Sequence, residues 1–246
     1  MKADPSAQLT LLELQEIDSQ AAQLRHQLTH PAEAAELAEL TKRRAETDGW
    51  VRDQQIVVDD LAAAQAKADA DVEQVKTRRK RDQDRIDAGL IANPKDLERM
   101  QHELATLERR ISVLEDEEIE VMEQLETAQT GLAALRADLA EIDERVAVLV
   151  GSRDERAEGL RERLAEVEAK RAPVAAGIPA DLLALYERIR ESRGGGAALL
   201  RARQCSGCMI ALDPRALSAI RGKDEDEVVR CEECSRILVR TAESGL

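Results

Sequence analysis

The sequence predicts an elongated all-α fold, an antiparallel coiled-coil hairpin, followed by a small C-terminal β zinc ribbon. Three observations lead there. Charged residues make up 35% of the 246, and the only aromatic residues are Trp50 and Tyr186, too few to fill a thick core but suited to long helices that bury a narrow seam. A hydrophobic stripe repeats every 3.5 residues through the middle of the chain. All four cysteines fall after residue 204, in two C-x-x-C pairs.

The second arm is the clearest element. Steps of three and four residues from Leu97 to Leu149 meet sixteen positions, fourteen of them large and apolar; Glu118 and Ala128 are the exceptions. Such a period holds one stripe against a partner helix. The first arm repeats it through Leu37, Leu40, Val51, Val58, Leu61, Ala68, Val72, Val75 and Ile86, interrupted by Arg44, Thr47, Gln54, Gln65, Arg79 and Asp82, and so needs the second arm to be stable. Trp50 lies beside this stripe and reads as a packing residue.

Between the arms, Gly89 suits a helix C-terminus, Asn93 an N-cap and Pro94 the first helical position, which makes 88–94 the tip. A turn centred near Ile91 sets Gln65 level with Glu118 as a polar layer, and Pro31 level with Gly151 as a joint in both arms. From joint to tip each arm spans about 85 Å, and the base segment adds about 30 Å. The hairpin is thus assigned to 1–172, with its joint near 31 and 151; Pro173 and Gly177 end the second arm. A linker at 173–196 holds a short helix and a Gly194-Gly195-Gly196 turn, and a zinc-ribbon domain occupies 197–246.

Cys205 and Cys208 are separated from Cys231 and Cys234 by 22 residues, a spacing suited to paired zinc knuckles. Each C-x-x-C turn presents two sulfurs to one side, and four thiolates leave no open position for water, so one structural zinc ion per chain is expected. An iron–sulfur cluster and a redox dithiol are the competing readings. Met209–Leu212, 228–230 and 237–239 are β-prone and read as the ribbon's strands.

The net charge of -14 opposes bulk attraction to nucleic acid or anionic membrane, so any such site must be local. Two local basic patches exist. Arg78, Arg79, Lys80, Arg81, Arg85, Lys95 and Arg99 crowd the tip; Arg188, Arg190, Arg193, Arg201 and Arg203 lead into the ribbon. Phosphate contact competes there with a simpler reading, solvated helix surface laced with ion pairs. No aromatic residue interleaves with either patch, which weakens single-strand stacking. His26, His30 and His102 lack acidic or nucleophilic partners at suggestive spacing and read as surface residues. No catalytic constellation, phosphate loop, leader or membrane-length apolar run is present, so a non-enzymatic cytoplasmic protein with no small-molecule substrate is expected.

Asn93-Pro94-Lys95-Asp96-Leu97, Ile178-Pro179-Ala180-Asp181-Leu182 with Tyr186-Glu187-Arg188, and the two knuckles with Ser235-Arg236-Ile237-Leu238 after the second together resemble a bacterial family: proteins with a coiled-coil hairpin followed by a four-cysteine zinc ribbon, including regulators of flagellar and type III secretion systems. The resemblance spans almost the whole chain. It implies an adaptor or chaperone-like regulator whose partners include a sigma factor, secretion components or messenger RNA. The expected function is therefore protein binding through tip and ribbon, with RNA or DNA binding by the ribbon and its preceding arginines as the alternative.

Overall fold

Helix formation begins at Asp4, whose carboxylate accepts the Ser6 amide at 2.8 Å and leaves Pro5 at the first helical position, where the missing N–H costs nothing. From there α1 (Pro5–Thr29) runs until Pro31 stops it, and α2 (Ala34–Asp87) and α3 (Pro94–Ala176) follow. A computed structural model describes every residue from 1 to 246. It divides into two compact units: Ala35–Val150, and Met1–Ala34 together with Gly151–Leu246.

In the first unit the buried residues of α3 are Leu107, Ile111, Leu114, Leu125, Ala128, Leu132, Ile142 and Leu149, every one on the predicted stripe. α2 answers with Val72, buried, and with Leu37, Leu40, Val51, Val58, Leu61, Ala68, Val75 and Ile86, half-buried. The reversal is built as expected. Gly89 adopts φ +65°, and the Leu90 and Gly89 amides donate to the Arg85 and Ile86 carbonyls at 3.2 and 3.0 Å, closing α2. Asn93 Oδ1 then accepts the Lys95 amide at 3.1 Å and caps α3.

The cross-helix contacts lie at the expected register or up to about two turns beyond it along α3. Gln54 donates to the Ala128 carbonyl at 3.0 Å and Arg145 pairs with Glu36 at 2.7 Å, level with each other for a reversal centred on Ile91, whereas Arg44 pairs with Asp143 at 2.5 Å and Arg79 with Glu108 at 2.6 Å, each five residues farther along α3. The non-helical segment after Gly89 lets α3 begin beyond the end of α2. Glu118 bonds to Asp69, one turn along α2 from Gln65, and both burial and the neighbouring carboxyl raise its pKa. Trp50 is 56% exposed and not a packing residue.

The second unit corrects two helix expectations. Only the first arm breaks at the joint, because Pro31 cannot continue α1, whereas α3 runs through Gly151 and Pro173. A helical glycine costs about 1 kcal/mol, less than the seam beside it supplies. Pro173 lies within the last turn, and Val174 and Ala175 beyond it pack on the core. Pro31 lines a cavity of about 520 Å³ together with Arg153, Ala157 and Leu160 of α3. His26 and His30 are exposed and stack on each other at 4.3 Å.

α4 (Ala180–Arg193) lays Leu182, Tyr186 and Ile189 against Leu11 and Leu14 of α1. Buried within this packing, Asp18 accepts from Arg171 at 2.7 Å and from the Tyr186 hydroxyl at 2.8 Å, while Arg190 and Glu187 close the network. Burial alone would push the Asp18 pKa up, but these donors outweigh it and hold the carboxyl below its ordinary range. The triple-glycine link is tightly held. Gln15 Oε1 accepts the Gly196 and Ala197 amides at 2.7 and 3.2 Å, and a Cβ on Gly196 would come within 2.5 Å of the Tyr186 carbonyl oxygen.

The sheet has the order β2-β1-β4-β3, with β1 (Ala197–Arg201), β2 (Gln204–Cys205), β3 (Val229–Arg230) and β4 (Ile237–Val239); β1 and β4 are parallel. Met209–Leu212, expected as a strand, contributes only a bridge from Ala211 to Gln204. Residues 1–3 run along the far edge, where the Ala3 amide donates to Asp226 at 2.7 Å and the Val228 amide to Met1 at 3.1 Å. Between the knuckles α5 (Pro214–Arg221) is capped by Asp213.

Asp18→Asn leaves Arg171 and Arg190 short of a buried counter-charge and should cost about 3 kcal/mol, read as a lower urea midpoint by circular dichroism. Since Asp18 titrates lower when folded than when unfolded, its contribution is complete above the ordinary aspartate pKa of about 4. It is lost as pH falls through the lowered folded value, so D18N flattens the acid limb of the stability profile. Glu118, raised by burial and Asp69, has the opposite sign: its ionisation weakens the hairpin as pH rises. Glu118→Gln should therefore raise the neutral-pH melting temperature of the chain and leave the acid one nearly unchanged.

Candidate metal centre

Each knuckle is a turn fixed by its own backbone. The Met209 amide donates to the Cys205 carbonyl at 2.8 Å and the Ser235 amide to the Cys231 carbonyl at 2.9 Å; the Cys205 and Cys231 amides return bonds to Ile210 and Arg236 at 3.1 and 2.9 Å. The two turns thus repeat one geometry, and the residue after each second cysteine, Met209 and Ser235, takes a left-handed φ of 58° and 64°.

The knuckles bring Cys205, Cys208, Cys231 and Cys234 together, with all four sulfurs within 4.8 Å of one another. Cys205 Sγ lies 3.8 Å from Cys234 Sγ, and Cys208 Sγ lies 3.9 Å from Cys231 Sγ. A tetrahedron of thiolates at zinc–sulfur distances near 2.3 Å has edges of about 3.8 Å, which these two edges match, so the cluster suits zinc. No cysteine is tied up in a disulfide. The Gly207 and Cys208 amides point at the Cys205 sulfur, and those of Glu233 and Cys234 at Cys231, the second-sphere bonds that thiolates need.

Without a cation two of the thiols resist ionisation. Burial pushes the Cys205 thiol up to about 12 and raises Cys231 as well. Burial also opposes ionisation of Cys234, but the Arg236 amide and the surrounding thiols bring it down to about 7. Cys234 is therefore held readier to ionise than Cys205 or Cys231, and a divalent ion must displace protons from those two. The Arg236 guanidinium, donating to the Gly207, Arg193 and Gly195 carbonyls at 2.7, 2.9 and 3.2 Å, ties the first knuckle to the end of α4. Sequence reading passed over Arg236 as a structural clamp, because an arginine among carbonyls leaves no local pattern.

The basic candidates fare differently. At the tip Arg78 pairs with Glu103, Arg79 with Glu108, Lys80 with Asp84, Arg81 with Asp82 and Arg99 with Asp96, leaving Arg85 and Lys95 without an ion pair. Before the ribbon Arg190 belongs to the buried network, Arg201 pairs with Glu243 at 3.0 Å, and Arg203 donates to the Gly245 carbonyl at 3.0 Å. Arg188 and Arg193 are exposed and have no side-chain partner. Most of both patches is thus engaged in pairs that sequence reading, blind to cross-helix partners, offered as one of two alternatives.

Purified protein should carry about one zinc ion per chain, measured by elemental analysis. Cys231→Ser should abolish it and melt the ribbon, since structural zinc in small domains is worth about 10–16 kcal/mol. Metal retention against a chelator should fall steeply as pH drops below 7, where protons reclaim the sulfurs.

The CT398-like coiled coil hairpin domain matches residues 14–194, and the C4-type zinc ribbon domain matches residues 204–238. The Mycobacterium tuberculosis (strain H37Rv) protein Rv2229c is 32% identical over 254 residues, spanning 98% of this chain and 98% of its own. A solved structure from Mycobacterium smegmatis superposes with a TM-score of 0.83 at 33% identity, covering 98% of this chain and 100% of that one. CT398 from Chlamydia trachomatis shares the fold at a TM-score of 0.63 and 19% identity, over 95% of this chain and 97% of that one. With its four cysteines in the ribbon and its seam along α2 and α3, the chain belongs to the CT398-like coiled coil hairpin family and carries the C4-type zinc ribbon.

Proposed function

We propose that the protein is a non-enzymatic adaptor, stabilised by a structural zinc ion, that binds protein partners through the hairpin tip and the ribbon. The observation that carries this reading is that the two most exposed large apolar side chains sit at the two ends it invokes: Leu90 at the tip is 71% exposed and Met209 on the ribbon is 68% exposed. A four-thiolate centre has every coordination position filled by protein, which suits scaffolding and leaves no place for a reacting water. No helix is long and apolar enough to cross a membrane, and thiols kept free for metal suit a reducing compartment such as the cytoplasm.

Nucleic-acid binding through Arg188 and Arg193 is the competing reading, and it draws on few cations. A protein that neutralises several phosphates loses affinity steeply with salt; two free arginines before the ribbon, in a chain of net charge -14, give a shallow slope and weak binding.

Affinity purification from native cells, with nuclease treatment, separates the two. A protein partner should survive nuclease and be lost on Leu90→Asp or on deletion of the ribbon. Loss of every partner with nuclease, or on R188A/R193A alone, would overturn the adaptor reading.

A further inference from the structure

We infer that the exposed face of the ribbon beside the zinc knuckles docks a basic, apolar peptide segment of a partner protein, with Met209 and Ile210 as the apolar contact and Glu232 and Glu233 as the counter-charge. The inference rests on the adaptor reading and specifies what one of its surfaces takes.

Left-handed backbone is cheap for glycine and costs other L-residues about 1 kcal/mol. Both knuckles need that conformation after their second cysteine. One places Ser235 there, half-buried, and the other places Met209, 68% exposed, with Ile210 next to it 46% exposed. A large flexible thioether at a position where glycine is favoured, turned to solvent, does nothing for the fold; unbranched methionines on open surfaces serve adaptable apolar contacts. The strain is a cost without a structural return.

Chemistry around the pair selects the occupant. Ile210 lines a small open cleft of about 90 Å³ with Leu212, Asp213, Ala216, Glu232 and Glu233, room for one inserted side chain rather than a free cofactor. Glu232 and Glu233 are exposed and accept no hydrogen bond or ion pair from the chain, while Asp213 is committed to capping α5 through the Ala216 amide at 2.7 Å. Four thiolates around a divalent ion add net negative charge behind these carboxylates. The cleft lining thus holds three carboxylates and no cation, with Arg215 of α5 exposed beside it, and its complement is a peptide that presents an apolar side chain flanked by lysine or arginine.

The test uses full-length, zinc-loaded protein and two synthetic amphipathic peptides of equal length, one alternating leucine with lysine and one alternating leucine with glutamate, followed by fluorescence anisotropy. The lysine peptide should bind and the glutamate peptide should not. Met209→Gly relaxes the backbone and keeps the metal, so its expected weakening of about tenfold cannot come from misfolding. E232Q/E233Q should weaken binding several-fold and reduce its salt dependence. Equal binding of both peptides, or lysine-peptide binding unchanged in M209G and in E232Q/E233Q, overturns the inference. If native partners remain bound to M209G and E232Q/E233Q but are lost on L90D, the adaptor reading stands and this docking face does not.

Discussion

The carboxylate of Asp18 is the point on which the second unit is organised. It is buried, accepts from Arg171 of α3 and from the only tyrosine, and lies within reach of Arg190 of α4. A buried charge of this kind is tolerated only where its partners are all in place, so three helices must meet in one geometry. Tyr186, fixed by that bond, then presents its backbone to Gly196, and Gln15 of the same α1 gathers the amides of Gly196 and Ala197 where β1 begins. The direction in which the sheet leaves the helices follows from these contacts.

Much of this was legible in the sequence, but unevenly. The seam was readable residue by residue because a 3.5 period needs no knowledge of the partner, and the buried positions of α3 all lie on it. The reversal was readable because Gly89, Asn93 and Pro94 each have one favoured role at a helix end. Register was readable only to within about two turns, since it depends on how far the non-helical residues after Gly89 carry the chain, a distance that residue counting cannot supply. β1 escaped notice because Ala197, Ala198 and Leu200 are all buried, so an alternating polar face never appears. α5 carried a signal that went unused, an aspartate followed by proline ahead of a short apolar repeat.

At the metal centre the ligands were fully legible and their surroundings were not. Spacing alone identifies Cys205, Cys208, Cys231 and Cys234, whereas the clamp made by Arg236 joins residues more than forty positions apart, Gly195 among them. The basic patches show the same limit in reverse. A run of arginines looks like a phosphate site until its acids are found on another helix, as Glu103 and Glu108 are for Arg78 and Arg79. What remained unpaired, Arg85, Lys95, Arg188 and Arg193, is a sparser set than composition suggests.

The ribbon is bound into the helical base through the two faces of its central strands. Along β1 and β4 successive side chains point to opposite sides. Ala197 and Ile237 pack with Leu11, Leu182 and Tyr186, while Ala198, Leu200 and Leu238 pack with Cys205, Cys231 and Cys234. One two-stranded parallel core therefore lies between the cysteine cluster and Tyr186 of the Asp18 network. Ordering the sulfurs around zinc positions the same backbone against which Tyr186 is packed, and loss of the ion removes support from both faces at once. That coupling gives the four-cysteine site a structural consequence: it rigidifies the knuckles, Met209 and Ile210 with them, and in the docking proposed for that face a preformed surface would cost a partner segment less entropy on binding.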